Sequence, residues 1–584
     1  MSVPPGIAFL LSNLPSLLAP PVSVYLACRV IGHSLGVDVP TWAEVAAAIL
    51  SWPAVVFVGT YWSRWRIQQK AAAAGAAVPA RVRSKWPGGL DLVFQFEEDR
   101  RNRFLAYRFM ELVSEYGYTC NASVLLQDRI FTTEPEYIKR ILATDFANHE
   151  KGAVAFEQLR SLLGTGVFNS DGEMWKFHRG ISRPYFSKDR IAHFEVFDRH
   201  ASAAIDLIKG RMQEGHAIDF QDLVARFTLD SATEFLFGKD LCSLSAGLPY
   251  ASTSGRTDAH SAKDHPANKF ANSFWEAQEL TAKRAMFMKA WPLWEFWTNT
   301  VDKHTATMDA FIEPLLKEAI AKKGQAKNTS GDEEDETLLQ NLVKSTDDPK
   351  VIRDETLNIL LAGRDTTALT LTMAVYSLSQ HPDILRRLRE EILGSVGNGR
   401  PTYEDIKQLK YLRAFINEVL RLYPAVPFNT RHSVNDAVLP AITPGGQPLF
   451  VQGGTRMLYS VFIMHRRKDL WGPDALEFDP DRFLDERAAK YLTPNPFIFL
   501  PFNAGPRICL GQQFAYNEIS FMLIRLLQQV TDIDLVQEVH PEAVPAPGRS
   551  ESKFSNGKER VIIRSHLTMY VEGGLWVKMK VADV

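Results

Sequence analysis

Two stretches near the N-terminus contain no charged residue. The first covers residues 1–28, and the second covers residues 45–62, a run of 18 residues. An uncharged helix of that second length just spans a hydrocarbon core of about 30 Å. Pro53 lies inside it, and a proline can kink a membrane helix without excluding its insertion. We therefore predict an uncleaved membrane anchor within residues 1–70.

The first stretch is the weaker helix candidate. Pro15, Pro20 and Pro21 interrupt it, and each removes a backbone donor from a helix interior. It is predicted to be a poor continuous helix over residues 5–28, acting as a second membrane-associated segment or a second span. A cleaved signal peptide is the rival interpretation of the N-terminus. A buried core helix is the alternative for residues 45–62.

Basic residues follow the second stretch, with no acid before Asp91. They are Arg64, Arg66, Lys70, Arg81, Arg83 and Lys85. This excess of positive charge predicts that the C-terminal side of the anchor faces the cytoplasm. Residues 71–90 are expected to form a basic linker that ends in Pro-Gly-Gly. Residues 91–584 are expected to form one catalytic domain, because no fixed-period repeat divides them.

Apolar residues recur at helical spacing through most of the remaining chain. The clearest helical segments are residues 194–208, 311–320, 357–378, 406–422 and 515–530. Strand-like segments are short, and they are residues 119–126, 449–451 and 561–571. Polar loops are expected at residues 243–269, 331–336 and 540–558, the first of them a surface insertion. The predicted fold class is mainly α with minor β sheets.

Composition narrows the class of protein. The chain has 584 residues with a formal net charge of -2, and 46% of them are hydrophobic. This balance is typical of a globular chain with a large core. It gives no electrostatic footprint for nucleic acid, so we expect no nucleic-acid partner. Four cysteines without close pairing indicate no disulfide framework and favour a reducing compartment.

One of those cysteines lies in a distinctive segment that begins at Phe502. Written as a pattern, the segment is F-x-x-G-x-R-x-C-x-G; its fixed positions are Phe502, Gly505, Arg507, Cys509 and Gly511. A metal-bound thiolate needs backbone N–H groups near its sulfur, and glycines allow such close approach. Helical spacing resumes after this segment, so the sulfur would lie near a helix N-terminus, which favours negative charge.

This segment resembles the haem-binding loop of the cytochrome P-450 family. The resemblance implies haem b as the cofactor and Cys509 as the axial ligand of its iron. It also implies that Arg507 pairs with a haem propionate, and the other four fixed residues of the pattern would contact the haem. Three further segments carry the same resemblance, in the order and at the spacing that the family shows.

The first is Glu418-Val-Leu-Arg421, an E-x-x-R pair, which a P-x-R-F segment containing Arg482 follows. Alone, an acid and a base three residues apart on a helix are usually a surface ion pair. The resemblance implies a buried network of Glu418, Arg421 and Arg482 that fixes the fold around the cysteine loop. Its role would be structural.

The second segment lies in the apolar helical run at residues 357–378, and its key members are Ala362, Gly363, Asp365 and Thr366. Thr366 can donate a hydrogen bond to the carbonyl of Ala362, which tends to bend a helix. The resemblance implies that Asp365 and Thr366 form an acid–alcohol pair that relays protons to bound O2, with Ala362 and Gly363 beside the haem. Arg364 is expected to pair with an acid and to tune that relay.

The third segment is Trp175-Lys-Phe-His-Arg179, which matches W-x-x-x-R. Residues four apart share a helix face, so both side chains could reach one haem propionate. Arg431 stands where the family commonly places another propionate-binding arginine. Solvated arginines remain the alternative for Arg179 and Arg431.

The resemblance also implies partners. O2 would be the co-substrate, and NADPH would act only through a separate flavoprotein reductase on the same membrane, because no G-x-G-x-x-G unit is apparent. The candidate docking residues for that reductase are Lys176, Arg183, Lys188 and Arg190. The expected location is the endoplasmic reticulum membrane, with the catalytic domain facing the cytosol.

The substrate is predicted from a narrower resemblance, to the fungal branch that hydroxylates n-alkanes and fatty acids at terminal carbons. The segments that carry it are residues 362–368, 421–431 and 566–569. The pocket is expected at residues 156–168, 274–287, 361–366, 426–430 and 566–570, which are largely apolar. A monooxygenase of polycyclic aromatic or secondary-metabolite substrates is one alternative. A non-catalytic haem-binding or sensor protein is the other.

Overall fold

The computed structural model describes residues 3–36, 38–186, 194–256, 265–325, 337–539, 551–552 and 555–582. Helices dominate these residues, so the predicted fold class is confirmed. The α-helices are α1 Pro5–Leu35, α2 Thr41–Ala73, α3 Leu90–Asn102, α4 Tyr107–Tyr116, α5 Pro135–Lys139, α6 Ala153–Leu163, α7 Gly172–Ser182, α8 Glu195–Gln213, α9 Phe220–Phe237, α10 Pro266–Arg284, α11 Trp291–Trp294, α12 Asp302–Gln325, α13 Leu338–Ser345, α14 Pro349–Gln380, α15 Pro382–Ser395, α16 Tyr403–Gln408, α17 Lys410–Leu422, α18 Val461–Met464, α19 Lys468–Trp471 and α20 Gln512–Gln529.

The strands are short. They are β1 Thr119–Asn121, β2 Arg129–Thr132, β3 His149–Glu150, β4 Ile218–Asp219, β5 Phe428–Ser433, β6 Ala437–Leu439, β7 Leu449–Val451, β8 Arg456–Ser460, β9 Val530–Leu535, β10 Glu551–Ser552, β11 Ser555–Asn556, β12 Ile563–Ser565, β13 Met569–Val571 and β14 Trp576–Val581. The largest sheet has the order β1-β2-β8-β5-β3, and only its β2–β8 pair is parallel. A second sheet has the order β4-β14-β9.

Helix α14 runs through the core. Asp348 caps its N-terminus by accepting hydrogen bonds from the N–H groups of Lys350 and Val351, and Pro349 occupies the first turn. Most of its residues from Val351 to Leu378 are buried, and they pack into both large apolar clusters of the protein. A helix that is buried on nearly all sides is a rigid support for the functional groups that it carries.

The predicted helices are all present, with different ends. Residues 194–208 lie at the start of α8, residues 311–320 lie within α12, and residues 357–378 lie within α14. Helix α20 ends one residue before the predicted segment does. The segment 406–422 is the one correction, because Leu409 leaves the helical conformation, with φ -75° and ψ 83°, and separates α16 from α17.

Two of the three predicted strands needed correction. The segment 449–451 is β7 with the predicted bounds. The segment 119–126 is a strand only as far as Asn121, because Leu125 and Leu126 adopt left-handed conformations in a turn that leads to β2. The segment 561–571 is a hairpin rather than one strand, since β12 and β13 pair across a turn at residues 566–568.

The predicted loops are partly confirmed by the described residues. In the segment 243–269, short 3₁₀ turns form at Ser243–Ala246 and Ser252–Ser254, but α10 already begins at Pro266, because the His265 side chain caps it. Residues 331–336 lie outside the described residues. Most of the segment 540–558 does too, although β10 and β11 pair within it.

The two N-terminal stretches form a pair of antiparallel helices. Helix α1 is continuous from Pro5 to Leu35, so the prediction of a poor helix was wrong. A proline removes one hydrogen bond, but a helix still satisfies more backbone groups within an apolar segment than any irregular chain can. Both α1 and α2 are long and apolar enough to cross a membrane. The Trp52 indole N–H donates to the Leu17 carbonyl at 2.8 Å and joins the helices.

The segment 71–90 is attached to the sheets. The Ala77 N–H donates to the Pro448 carbonyl at 2.8 Å, and the Phe450 N–H donates to the Ala77 carbonyl at the same distance. Farther along, the Val82 N–H donates to the Asn121 carbonyl at 3.0 Å. The end of α2 is therefore held against the rest of the fold by backbone hydrogen bonds.

Candidate functional site

Cys509 lies in an irregular loop immediately before α20. Its N–H donates to the Phe502 carbonyl at 3.0 Å, and the Ile508 N–H donates to the Gly505 carbonyl at 3.0 Å. Asn503 adopts a left-handed conformation, and its side-chain oxygen accepts a hydrogen bond from the Tyr459 hydroxyl at 2.9 Å. The loop is therefore closed on itself and tied to β8.

The electrostatics around the Cys509 sulfur act in opposite directions. Burial raises the pKa of the thiol to about 11, while a hydrogen bond from the Gly511 backbone N–H and the nearby Arg179 guanidinium lower it. The residue keeps an accessible surface although protein closely surrounds the sulfur. A thiol with these surroundings ionises when a metal cation binds it.

Gly505 is required by the contact between the loop and a neighbouring helical turn. Its φ is +69°, and a Cβ added there would lie 1.8 Å from the Leu142 carbonyl oxygen. Leu142 belongs to the π-helical turn Arg140–Thr144. Gly511 differs, because its φ is -84° and its nearest neighbour is the Phe186 ring at 3.5 Å, an ordinary contact.

Three cationic side chains converge beside the loop with little acid to balance them. Burial, then Arg431, lowers the pKa of Arg507 to about 10, and burial, then Arg431 and Arg507, lowers the pKa of Lys151. Asp171 is the acid that pairs with Arg507, at 2.6 Å. The buried Nε atoms of Arg431 and Arg507 have no hydrogen-bond acceptor among the described residues. Such a cluster fits the two carboxylates of a haem, and Lys151 is a member that the sequence analysis missed.

The W-x-x-x-R residues lie against the same cluster. The Arg507 guanidinium lies 4.5 Å from the centre of a Trp175 ring, and the Arg179 guanidinium lies 5.9 Å from it. Arg179 also donates to the Ile508 carbonyl at 2.9 Å, so it contacts the cysteine loop directly. The structure thus brings Trp175, Arg179 and Arg507 together on one side of Cys509.

Glu418, Arg421 and Arg482 form the buried network that the sequence predicts. Arg421 donates to both carboxylate oxygens of Glu418, at 2.7 and 2.8 Å, and neither side chain is exposed. The Arg482 Nε lies 3.6 Å from Glu418 and its terminal nitrogens donate to Asp474. The Glu418 carboxylate also accepts a hydrogen bond from the Asp479 N–H at 2.8 Å. Every charge in this network has a partner, as a buried ion pair requires.

His465 connects this network to the segment leading into the cysteine loop. Its Nδ1 lies 3.0 Å from the Arg421 carbonyl, and its Nε2 accepts a hydrogen bond from the Leu500 N–H at 3.0 Å. Because Nε2 accepts, the proton is assigned to Nδ1, which donates. Arg421 in turn donates to the His465 carbonyl at 2.8 Å. The sequence analysis missed His465, since a lone buried histidine has no motif of its own.

Asp365 and Thr366 lie on one turn of α14. The Thr366 hydroxyl donates to the Ala362 carbonyl at 2.7 Å, as predicted from the sequence, and the helix remains continuous there. Asp365 accepts from Arg364 at 2.8 Å and from the Gln278 side-chain amide at 2.7 Å. Gln278 is 1% exposed and belongs to α10. The sequence predicts Gln278 only as part of the pocket segment 274–287, and no sequence signal identifies it as a partner of Asp365.

The remaining predicted site residues make ordinary packing or surface contacts. Gly363 faces Ala232, and its added Cβ would lie 3.5 Å from the methyl group. The Phe502 ring packs 5.2 Å from Tyr516. Lys176 is exposed and already pairs with Glu173, and Arg183 begins a 3₁₀ turn. Lys188 and Arg190 lie outside the described residues.

The two loop glycines provide a matched test of the loop geometry. Gly505→Ala is expected to destabilise the protein by about 3 kcal/mol or more, because the methyl group overlaps a carbonyl at a left-handed position. Gly511→Ala should change the free energy of unfolding by less than about 1 kcal/mol. Haem content per protein and denaturant unfolding measure both effects. Equal losses in the two variants would contradict the assignment of the close contact to Gly505.

Acid should weaken the connection made by His465. Burial lowers the pKa of its imidazole from 6.5 to about 3, so the folded state favours the neutral ring. The stabilisation is complete above pH 6.5 and is lost as the pH falls toward the folded pKa. At pH 5 the loss amounts to about 2 kcal/mol.

The comparison that checks this is thermal unfolding of wild-type protein and His465→Asn at pH 7.5 and pH 5. The wild type should lose more stability on acidification than the variant, which cannot titrate at this position. An identical loss in both proteins would assign the acid sensitivity to other groups.

Comparison with known proteins agrees with this site. A family model described as Cytochrome P450 matches residues 90–543. Cytochrome P450 52E1 of Candida apicola is 35% identical over 491 residues, which cover 82% of this chain and 90% of that protein. Cytochrome P450 52-E3 of Starmerella bombicola is 36% identical over 507 residues (85% and 92%). Cytochrome P450 monooxygenase pvhE of Talaromyces variabilis is 33% identical over 481 residues (78% and 84%). The chain therefore belongs to the cytochrome P450 family and is a monooxygenase with a haem iron cofactor and O2 as co-substrate.

Proposed function

We propose that this monooxygenase hydroxylates n-alkanes or long-chain fatty acids at a terminal or near-terminal carbon. The observation that carries the proposal is that four of the five predicted pocket segments contribute to one apolar cluster. Its contributors from those segments are Leu159, Leu162, Leu163, Val167, Phe274, Ala277, Leu280, Leu361 and Leu567. The site of a hydrocarbon chain needs apolar surroundings of this kind. The cluster includes Leu361, four residues before Asp365, so it reaches the turn of α14 that carries the acid–alcohol pair.

In this proposal Cys509 holds the haem iron, and the cationic cluster with Trp175 and Arg179 holds the propionates. Bound there, the haem activates O2, and a thiolate ligand favours cleavage of the O–O bond. The Thr366 hydroxyl turns from the Ala362 carbonyl to donate a hydrogen bond on the oxygen side, and Asp365 moves protons. Arg364 and Gln278 fix the orientation of the Asp365 carboxylate, since each donates to it. The apolar lining excludes water.

The membrane segments support a location on the endoplasmic reticulum with the catalytic domain in the cytosol. Many apolar side chains of α1 and α2 are exposed, for example Leu11 at 59% and Phe57 at 74%, as expected for contact with lipid. The Gly6 N–H donates to the Phe296 carbonyl at 3.0 Å, so the start of α1 lies against the catalytic part. The proposed anchor is therefore a hairpin of two spans with both ends on the cytosolic side.

Electrons come from NADPH through a separate membrane-bound flavoprotein reductase in this proposal. The basic residues on the cysteine side offer a surface for an acidic partner. Of these, Lys176 and Arg183 are among the described residues, and both belong to the segment that carries Trp175 and Arg179.

The substrate class is tested by titrating the purified ferric protein with hexadecane, hexadecanoic acid and a polycyclic aromatic such as pyrene. The proposed substrate class predicts a saturable low-to-high-spin shift with the chain compounds and none with pyrene. The carbon monoxide spectrum of the reduced protein serves as the control for an intact thiolate ligand. A shift with pyrene alone would reassign the substrate to ring systems.

Catalysis is tested by variants of the oxygen-side residues in the enzyme reconstituted with reductase. Thr366→Ala should lower product per NADPH by about tenfold or more and raise peroxide release, since the lost hydrogen bond belongs to proton delivery. Thr366→Ser is the matched control. Arg364→Ala and Gln278→Leu should change the pH–rate profile, because each removes a donor that orients the Asp365 carboxylate.

Unchanged product and peroxide in Thr366→Ala would show that the Thr366 hydroxyl takes no part in proton delivery. An unchanged pH–rate profile in both Arg364→Ala and Gln278→Leu would show that these two residues do not tune the relay.

A further inference from the structure

Two arginines lie side by side on the largest sheet. Arg129 begins β2 and Arg456 begins β8, and the two are direct partners in the parallel register. Partners in a parallel pair place their side chains on the same face of a sheet. Both side chains are buried, with 7% of Arg129 and 6% of Arg456 exposed. Two like charges are therefore held next to each other inside the protein.

No carboxylate among the described residues pairs with either guanidinium. Arg129 makes no side-chain hydrogen bond there, and its buried Nε and Nη2 have no acceptor. Its remaining contacts are the rings of Phe96 and Phe109, at 4.8 and 5.8 Å from the guanidinium. Arginine presents five N–H donors, so most of the hydrogen-bonding capacity of Arg129 is unused.

Arg456 has only neutral partners. Its Nε donates to the Thr430 hydroxyl at 3.0 Å. Its Nη1 has three long contacts, at 3.4 to 3.5 Å, with the Gln158 side-chain oxygen, the Ala285 carbonyl and the Met288 sulfur. Gln158 cannot move closer freely, because its amide nitrogen donates to the carbonyls of Arg284 and Met288.

The surroundings of the pair lower the pKa of both guanidinium groups. Burial, then the charge of Arg456, lowers the pKa of Arg129 to about 9. Burial lowers the pKa of Arg456 to about 10. Both groups remain charged at neutral pH, so two uncompensated positive charges are buried. Buried charges in proteins are nearly always paired, and an arginine pair on one face suits the two oxygens of a carboxylate.

The position of the pair relates it to the substrate. Gln158, Ala285 and Thr430 belong to three of the segments predicted to line the pocket. Thr430 precedes Arg431, one of the cations of the propionate cluster, but the register places the Arg456 side chain on the face of His432 rather than that of Arg431. The arginine pair therefore borders the pocket segments and is separate from the propionate cluster.

We propose that Arg129 and Arg456 bind the carboxylate of a long-chain fatty acid whose hydrocarbon tail extends toward the acid–alcohol pair. This inference rests on the proposed function and refines it. The enzyme would then select fatty acids over alkanes, and it would oxidise the chain at the end remote from the carboxylate.

The experiment measures dissociation constants from the spin shift for hexadecanoic acid, its methyl ester and hexadecane, using the full-length holoenzyme in nanodiscs. The wild type should bind the acid about 10- to 100-fold more tightly than the ester, the effect of a charge-assisted hydrogen bond. Arg129→Leu and Arg456→Leu should each weaken acid binding by at least about tenfold and leave ester and hexadecane binding within about twofold. Arg564→Leu is the matched control, since Arg564 is also buried but pairs with its own acid, Glu572.

Each outcome decides the assignment. Equal affinities for acid and ester in the wild type, or equal losses for both in the arginine variants, would overturn the carboxylate site while leaving chain hydroxylation intact. Spin shifts with none of the three chain compounds would overturn the proposed substrate and the site together. A third outcome is that the protein binds acid and ester equally well and that inorganic phosphate or phosphatidylserine vesicles displace the bound acid. That result would assign the arginine pair to a phosphate group instead. The arginine variants should retain the carbon monoxide spectrum, because each removes an uncompensated buried charge. Hexadecanoic acid should raise the melting temperature of the wild type and should not raise that of the variants.

Discussion

Removing the Glu418 carboxylate and the Arg421 guanidinium from water costs on the order of several kcal/mol per ion, and this cost is offset only when each polar atom finds a partner. Arg421 donates two hydrogen bonds to the Glu418 carboxylate, and its remaining N–H groups donate to surrounding backbone carbonyls. Those carbonyls belong to the chain that leads from β8 to the cysteine loop. The requirement to satisfy one buried ion pair therefore orders a long irregular segment that has little regular structure of its own.

His465 extends this order to the segment in front of Cys509. Its ring lies between the Arg421 carbonyl and the Leu500 N–H, so the network and the loop share one side chain. On the other side, Gly505 lets the loop contact the turn at Leu142 without a side chain between them. The position of the sulfur thus results from two contacts, one polar and one steric, that are far apart in sequence.

Unbalanced positive charge marks two different places in the interior. The cluster of Lys151, Arg431 and Arg507 has one acidic partner among the described residues, and the pair of Arg129 and Arg456 has none. Helix α14 shows the opposite arrangement, because Asp365 is held by two donors and is fully paired. Charges that are paired within the chain serve orientation, and charges left unpaired indicate where a ligand supplies the missing partner.

The sequence by itself determined the family, the membrane helices as uncharged stretches, and the motif residues, because fixed spacing on helices brings such residues to one face. It could not determine that α1 is continuous through three prolines, or that Leu409 separates two helices, since both depend on surroundings rather than local preference. Lys151, Gln278 and His465 reach the site from distant segments and carry no motif. Only the tertiary structure could bring them there, because a hydrogen bond is set by distance in space and not by distance along the chain.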